Sequence, residues 1–329
     1  MTATRTPQRA VGSGFGYRST AEEVVRGIDL TGRRAVVTGG YSGIGLETVR
    51  ALSRAGASVI VPARRPENAR KALAGVEGVE VGQADLADQG SVRAFAQEVV
   101  DSGREIDIVV AGAGVMACPE TRVGPGWEAQ FAINHLGHFA LVNLLRPALV
   151  RRGARVVMVS SSGHQLTGIR WADVQFADGY DKWLAYGQAK TANVLFALHL
   201  DQLGREDGVR AFSLHPGSIL TPLQRHLETA EMVDAGWIDE AGRPADPSFK
   251  TPEQGAATQV WAATSPLLAG LGGVYCEDCE VAPPAGPAPE GGGLVPGVAA
   301  HAADPEQAAR LWELSAELTG VNAFASAGR

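Results

Sequence analysis

The chain has few cysteines, no long apolar run and no excess of positive charge. Three cysteines among 329 residues are too few to build a disulfide framework. No apolar run approaches the roughly 20 residues needed to cross a bilayer, so we expect no membrane span. The net charge is −7 with acidic and basic residues interspersed, which argues against a nucleic-acid surface.

The rest of the composition predicts one large globular domain. Hydrophobic residues make up 45% and charged residues 20% of the chain, enough for a substantial buried core. Residues 1–9 lack the apolar core of a signal peptide. The low cysteine content is typical of a reducing compartment, so a cytoplasmic protein is expected.

Cys276 and Cys279 form an isolated Cys-x-x-Cys pair. Such a pair could bind a metal or undergo redox chemistry, but no second cysteine or histidine pair completes a zinc site. A structural role is therefore favoured, and no metal site is predicted.

Short apolar runs alternate with amphipathic stretches from residue 33 onward. The runs predict strands at Arg34–Val37, Ser58–Pro62, Val79–Gly82, Ile106–Ala111, Arg155–Ser160 and Val209–His215. The stretches between them predict helices at Ile44–Ala55, Glu67–Ala74, Ser91–Asp101, Trp127–Arg151 and Ala185–Leu203. This alternation implies right-handed crossovers, so we predict a single α/β domain whose doubly wound parallel sheet carries helices on both faces.

Three segments depart from this rhythm. Residues 1–30 form a polar N-terminal extension before the predicted domain at 31–281. Residues 221–250 have little periodicity and follow a strand end, which favours a substrate lid over a disordered linker. Residues 282–329 combine a Pro- and Gly-rich surface excursion, to residue 303, with an amphipathic helix at Asp304–Leu318 packed on the same domain.

The first strand runs into a glycine-rich turn, Thr-Gly-Gly-Tyr-Ser-Gly-Ile-Gly at 38–45, and then a helix. Glycines here let the backbone turn tightly and approach a pyrophosphate at the helix N-terminus. A turn without a ligand is the alternative, but its place after the first strand favours a Rossmann-type dinucleotide site. The predicted contacts are Gly39, Tyr41, Ser42, Gly43, Ile44 and Gly45.

The second strand ends at Arg64 and Arg65. NAD sites usually place an acidic residue here, about 20 residues beyond the glycines, to hold the ribose 2′-hydroxyl. Arginines instead bind a 2′-phosphate through charge-assisted hydrogen bonds, although they could simply be solvated. NADP is therefore favoured over NAD.

Two further motifs follow strand ends, where open α/β sheets bind ligands. Asp85 and Leu86 follow the third strand, and Asp85 could accept a hydrogen bond from adenine or cap the helix after Ala87. The small residues Ala111, Gly112 and Ala113 follow the fourth strand and would leave room for adenosine or form a tight turn. Neither motif is specific alone.

Tyr186 and Lys190 lie one helical turn apart, downstream of Ser160, Ser161 and Ser162. A free tyrosine has a pKa of about 10. An ammonium group on the same helix face can lower that value and make the phenol useful in acid–base chemistry. The spacing also fits ordinary surface neighbours.

The order of these motifs resembles the classical short-chain dehydrogenase/reductase superfamily over about residues 30–280. The shared elements are Thr-Gly-x-x-x-Gly-x-Gly, an Ala-Gly motif, Asn134, Ser161, Tyr186-x-x-x-Lys190 and Pro216-Gly217. The chain departs from the family at 111–114, where Ala-Gly-Ala-Gly replaces Asn-Asn-Ala-Gly and removes side-chain support for the sheet centre.

Within the superfamily, the chain is most similar to the branch of retinol dehydrogenases, WW-domain oxidoreductases and protochlorophyllide reductases. The lead-in at 19–32, the long interval from Ser161 to Tyr186, Gly273-Val274-Tyr275 and the late segment at 309–312 carry this resemblance. It also implies a homodimer or homotetramer.

The resemblance implies a catalytic role for four residues. Tyr186 would be the general acid in carbonyl reduction or the base in alcohol oxidation, and Lys190 would lower its pKa and hold the nicotinamide ribose. Ser161, with Ser162 as the alternative, would polarise the substrate oxygen, and Asn134 would position a water that links Lys190 to solvent. The nicotinamide would be lined by Pro216, Gly217, Ile219 and Thr221.

These roles leave no task for an imidazole, so structural positions are favoured for the nearby histidines 135, 138, 164 and 215. Apolar side chains before Tyr186 and in the predicted lid fit a hydrophobic substrate, or equally anchor the loops. They are Ile169, Trp171, Phe176, Tyr180, Trp183, Leu223, Leu227, Met232 and Trp237.

The leading hypothesis is an NADP-dependent enzyme that interconverts a small-molecule carbonyl, ketone or aldehyde, and its alcohol. A catalytically silent NADP-binding sensor or scaffold is a second reading, because fold does not fix function. A light-driven double-bond reductase of the protochlorophyllide type is a third.

Overall fold

A computed structural model describes residues 5–150, 153–289 and 293–325. Its centre is an eight-stranded sheet in the order β10-β9-β8-β7-β4-β1-β2-β3. These strands are β1 Arg34–Thr38, β2 Ser58–Ala63, β3 Val79–Gln83, β4 Ile108–Ala111, β7 Ala154–Val159, β8 Val209–His215, β9 Val274–Glu277 and β10 Glu280–Val281. A small hairpin adds β5 Arg122–Val123 and β6 Trp127–Glu128.

Neighbouring strands in the sheet pair in parallel, except for the antiparallel pair β9–β10. The strands β1, β2, β4, β7 and β8 are mostly buried because helices cover both faces of the sheet, whereas the edge strand β3 is partly exposed. The helices are α1 Ala21–Val25, α2 Gly43–Arg54, α3 Pro66–Ala72, α4 Gln89–Asp101, α5 Ala129–Phe131, α6 Gly137–Leu144, α7 Arg146–Leu149, α8 Lys182–Gly204, α9 Thr229–Asp234, α10 Pro252–Gly255, α11 Ala257–Thr264 and α12 Pro305–Thr319.

Two apolar cores lie between the sheet and the helices on its two faces. One core joins the sheet to α1, α2 and α11 through residues such as Val37, Leu52 and Trp261. The other joins it to α4, α6 and α8 through residues such as Phe95 and Phe139. The predicted doubly wound sheet with helices on both faces is therefore confirmed.

The predicted helix at Trp127–Arg151 is wrong as a single element. Trp127 and Glu128 form β6, and the Glu128 carboxylate accepts hydrogen bonds from the N–H groups of Gln130 and Phe131. This cap fixes the helix start at Ala129. A π-helical turn at Ala132–Leu136 follows, and residue 151 lies outside the described residues.

Several elements escaped the sequence prediction. Strands β9 and β10 extend the sheet beyond the sixth predicted strand, and α10 and α11 follow the predicted lid segment. Before β1, the N-terminal extension lies along the added edge, where the Glu280 carboxylate accepts hydrogen bonds from the N–H groups of Val11, Gly12 and Ser13. None of the described helices is long and apolar enough to span a membrane.

Candidate active site

A cavity of about 790 Å³ opens at the carboxyl ends of the parallel strands. Strand order reverses between β1 and β4, and ligands of open α/β sheets bind at such a reversal. Sixteen predicted site residues line the cavity: Gly39, Tyr41, Ser42, Gly43, Ile44, Gly45, Arg64, Gly112, Ala113, Ser161, Tyr186, Lys190, Pro216, Gly217, Ile219 and Thr221.

A smaller cavity of about 140 Å³ adjoins the first and shares Gly39, Tyr41, Arg64 and Ala113 with it. Asp85 and Leu86 line this second space. Three predicted site residues line neither cavity. Ala111 is buried within β4, Arg65 is exposed at the start of α3, and Asn134 lies in the π-helical turn.

The glycine-rich turn has the shape that a dinucleotide requires. Gly39 has φ +70°, which favours glycine, and a Cβ on Gly45 would collide with the carbonyl oxygen of Gly39. Helix α2 begins at Gly43, and the Ser42 side chain caps none of the described N–H groups there. The first N–H groups of α2 therefore remain available to a phosphate, so the turn fits the pyrophosphate of a nicotinamide dinucleotide.

Thr38 holds the ends of β1 and β4 together beside this turn. Its hydroxyl oxygen accepts hydrogen bonds from the N–H groups of Gly112 and Ala113, at 2.9 and 3.1 Å. It also lies 2.8 Å from His138 Nε2. A threonine hydroxyl thus supports the sheet centre, where the Ala-Gly-Ala-Gly motif offers no side-chain amide.

Ser161, Tyr186 and Lys190 meet at the wall of the larger cavity. The Ser161 hydroxyl lies beside Tyr186 at this wall and accepts from the N–H of Gly163 at 3.0 Å. Lys190 Nζ donates to the carbonyl oxygen of Val159 at 3.1 Å. The Tyr186 and Lys190 residues are each 5% exposed, so the pair is not an ordinary surface neighbourhood.

Burial determines the proton affinities of this group. It raises the pKa of Tyr186 to about 12 because the phenolate loses hydration, and the neighbouring Ser161 hydroxyl only partly opposes that rise. Burial also lowers the pKa of Lys190 to about 8. The predicted lowering of the Tyr186 pKa is therefore wrong: desolvation raises it, although the Lys190 ammonium lies 5.5 Å from the ring centre.

Asn134 is held by the backbone of residue 115. Its Nδ2 donates to the carbonyl oxygen of Val115 and its Oδ1 accepts from the N–H of Val115, both at 2.9 Å. The main-chain carbonyl of Asn134 accepts from His138 Nδ1 at 2.9 Å. The π-helical turn thus fixes this residue behind the cavity wall.

Of the four histidines near the site, His135, His138 and His164 are buried and His215 is half-buried, and all four are neutral. Loss of hydration is the largest cause that lowers each pKa, to about 3 for His135 and His215 and to about 4 for His138 and His164. Each ring also has a defined hydrogen-bond partner. Neutral, fixed rings agree with the structural positions favoured from the sequence.

The apolar loop residues predicted to contact the substrate have different positions, and Leu227 and Met232 pack with Tyr186 while Phe176 and Tyr180 contact each other. Trp183, Leu223 and Trp237 line the large cavity, whereas Ile169 and Trp171 pack against the core formed with α12. Further lining residues fall in segments already marked by the sequence: Gly114 in the Ala-Gly motif, and Pro222, Gln224, Arg225 and Phe249 in the predicted lid. No motif marks the lining residues Met116, Gly163, Leu166, Ser218 and Leu294.

The two neighbouring cysteines lie away from this cavity. Cys276 is in β9, and Cys279 has φ +60° in the turn before β10. Burial raises the pKa of both thiols, that of Cys279 to about 12, so they remain protonated and unreactive. Among the described residues, no cluster of three or more His, Cys, Asp or Glu could hold a metal ion.

Comparison with known proteins identifies the family. The family model described as short chain dehydrogenase matches residues 33–232. The chain belongs to the short-chain dehydrogenase family. It is therefore an NAD(P)-dependent oxidoreductase.

Relatives of this short-chain dehydrogenase place it in the retinol dehydrogenase-like branch. It is 48% identical over 300 residues to a "Probable oxidoreductase" of Streptomyces lividans, covering 88% of this chain and 98% of that protein. It is 34% identical over 301 residues to retinol dehydrogenase 12 of Mus musculus, covering 89% and 88%. An active-site complex of Pseudomonas aeruginosa RhlG with NADP is similar in structure, with TM-score 0.57, 27% identity and coverage of 75% and 94%.

Proposed function

We propose that this dehydrogenase interconverts a hydrophobic aldehyde or ketone and its alcohol, using NADP(H). The observation that carries the proposal is that Ser161 and Tyr186 line the same cavity as the glycine-rich turn. A substrate oxygen beside both hydroxyls would lie within reach of a donor and an acid. Bound nicotinamide supplies the hydride.

Tyr186 acts as the general acid in reduction and as the base in oxidation. With a pKa near 12, its phenol is protonated at neutral pH and ready to donate to the oxygen that gains negative charge. Ser161 donates to the same oxygen and polarises the carbonyl. Proton transfer from a positioned group contributes about 10²–10⁴-fold in rate.

Lys190 supports the acid–base role of the Tyr186 phenol. Its ammonium lies 5.5 Å from the Tyr186 ring centre, close enough to stabilise a phenolate as the proton leaves. The same ammonium borders the cavity, where it can donate to the nicotinamide ribose. Asn134, held between Val115 and His138, orders the backbone behind this proton path.

Arg64 is the main support for NADP over NAD. It follows β2 without an acidic neighbour and lines both the large and the small cavity. A guanidinium there would bind a 2′-phosphate through charge-assisted hydrogen bonds. Arg225 lines the same two cavities from residues 221–250, so a second cation faces the adenosine end.

Residues 221–250 cover the substrate and the nicotinamide. The segment starts beside the glycine-rich turn, since a Cβ on Gly43 would lie 3.2 Å from the Thr221 side chain. It then contributes Leu223, Trp237 and Phe249 to the cavity wall. Pro216, Gly217 and Ile219 border the nicotinamide end.

The test is oxidation of NADPH by the purified protein with a panel of hydrophobic aldehydes and ketones. We expect carbonyl-dependent loss of NADPH absorbance and weaker activity with NADH. Cofactor binding without turnover across the panel would contradict the proposal and favour a sensor or scaffold. Reduction of a tetrapyrrole only under illumination would favour a double-bond reductase.

A further inference from the structure

We infer that residues 293–302 form a wall of the substrate site and select carbonyl compounds with a long, uncharged apolar body. This inference rests on the proposed function, because it assigns the substrate class of the same cavity. Leu294 lines the large cavity together with Leu166, Trp183 and Tyr186. A stretch that reads as a surface excursion in the sequence thus borders the catalytic residues.

The wall is bonded to the turn that follows the catalytic serine. Gln165 Nε2 donates to the carbonyl oxygens of Val295 and Gly297, and Gln165 Oε1 accepts from the N–H of Val295 at 3.0 Å. His164 Nε2 accepts from the N–H of Ala299 at 3.0 Å. His164 therefore carries its hydrogen on Nδ1, which donates to the carbonyl oxygen of Ser161 at 2.6 Å.

Buried contacts support the wall from the other side. Val298 and Ala302 are 2% and 0% exposed and pack with Tyr275 of β9. The Glu277 carboxylate accepts from the N–H of Gly297 at 2.9 Å. These contacts fix the position of the segment, so it can present Leu294 to a substrate at low cost in conformational entropy.

The side chains at this end of the cavity are apolar. Trp183 lies edge-on to both Tyr186 and Trp237, with ring centres 6.4 and 6.2 Å apart. Leu166 and Leu294 keep 41% and 47% of their surface exposed at the cavity. Large apolar side chains exposed together in a concave site are typical of ligand contact.

The charged side chains do not offer a partner for a charged substrate. Among the described residues, Arg64, Lys190 and Arg225 are the charged ones that line the large cavity. Arg64 and Arg225 also line the adjoining smaller cavity, and Lys190 faces Tyr186. A neutral chain or ring system extending from the carbonyl towards Leu166 and Leu294 fits this distribution.

The experiment compares the ratio of kcat/KM for decanal to that for butanal in three proteins. Leu294→Glu should lower the ratio at least about tenfold. A tenfold change in kcat/KM corresponds to the loss of roughly one buried aliphatic contact between Leu294 and the longer substrate. The control is Leu267→Glu, since Leu267 is also 47% exposed but lies outside the residues that line the cavity. Its ratio should equal that of the wild type.

A binding measurement separates this inference from the proposed function. Nile red, a neutral apolar fluorophore, should bind the wild type and Leu267→Glu equally and Leu294→Glu at least about tenfold more weakly. If no carbonyl compound of the panel is reduced, the proposed function fails while the dye still tests the wall. An unchanged ratio and unchanged dye binding in Leu294→Glu would overturn the inference.

Discussion

The hydroxyl of Ser160 donates to the main-chain carbonyl of Lys190 across 2.7 Å. This buried bond ties the end of β7 to the turn of α8 that carries the lysine. Successive side chains of an extended segment point to opposite sides, and Ser161 accordingly turns towards Tyr186. Three adjacent serines therefore have different positions and should respond differently to substitution.

Alanine substitutions at the three serines test this division. Ser161→Ala should lower kcat about 10²–10³-fold, the usual loss when a donor to a developing oxyanion is removed. Ser160→Ala should instead lower the free energy of unfolding by about 1 kcal/mol. Ser162→Ala should retain most activity, and a large loss there with an active Ser161→Ala would move the catalytic role to Ser162.

Arg64 and Arg65 offer a matched pair for cofactor preference. Arg64→Ala should raise the Kd for NADPH about 10–100-fold, the effect of losing a charge-assisted hydrogen bond, and change the Kd for NADH little. Arg65→Ala should leave both constants close to those of the wild type, because Arg65 lies outside both cavities. Equal losses in the two variants would contradict the assignment of Arg64 to the 2′-phosphate.

The lowered pKa values of the four histidines predict that the folded protein is less stable in acid. Their pKa values of about 3 to 4 lie below the ordinary 6.5, so below that pH the unfolded chain binds protons that the folded chain does not. Stability should fall as the pH drops from 6.5 towards 4. Each histidine contributes up to about 1.4 kcal/mol per pH unit.

Urea unfolding across that pH range measures the effect. The slope of unfolding free energy against pH is proportional to the number of protons taken up on unfolding. His135→Gln should reduce that number by about one, whatever its effect on absolute stability. The exposed His226, whose pKa is also lowered by partial burial, is the comparison, and its substitution should change the slope less than His135→Gln. A slope unchanged in His135→Gln would show that His135 titrates normally in the folded protein.

The ion pair between Lys250 and Asp278 should contribute to the free energy of unfolding. The Lys250 side chain is 1% exposed, and its Nζ lies 2.6 Å from the Asp278 carboxylate. Asp278→Asn should lower the free energy of unfolding by about 1–3 kcal/mol, because the buried ammonium loses its counter-charge. Asparagine also tolerates the positive φ of this position.

Glu22→Ala is the comparison in urea denaturation. It removes the solvent-exposed ion pair between Glu22 and Arg54. The side chain of Glu22 is 67% exposed and that of Arg54 is 63% exposed. Such pairs contribute roughly 0–1 kcal/mol. Equal effects of Asp278→Asn and Glu22→Ala would mean that burial of Lys250 does not strengthen its pair.

The sequence was sufficient for the repetitive parts of the fold. Strands from β1 to β8 in the main sheet and helices such as α2 and α8 follow from local apolar periodicity, which the structure confirms. The glycine-rich turn was also readable, because Gly39 and Gly45 occupy positions where side chains would clash or strain the backbone.

Contacts between segments that are far apart in the sequence could not be predicted from it. Leu294 reaches the cavity because Gln165 and His164, about 130 residues earlier, bond to its segment, and no local pattern encodes that pairing. The π-helical turn around Asn134 and the raised pKa of Tyr186 likewise depend on burial by other elements. Helical spacing alone predicted the opposite pKa direction.

The most direct test of the account is the rate of NADPH-dependent carbonyl reduction by Tyr186→Phe. This change removes one hydroxyl and keeps the ring, so cofactor binding and the unfolding transition should stay close to those of the wild type. If the Tyr186 phenol transfers the proton, kcat should fall by about 10²–10⁴-fold. Wild-type turnover by Tyr186→Phe, with the cofactor bound normally, would contradict the central claim that this phenol transfers the proton.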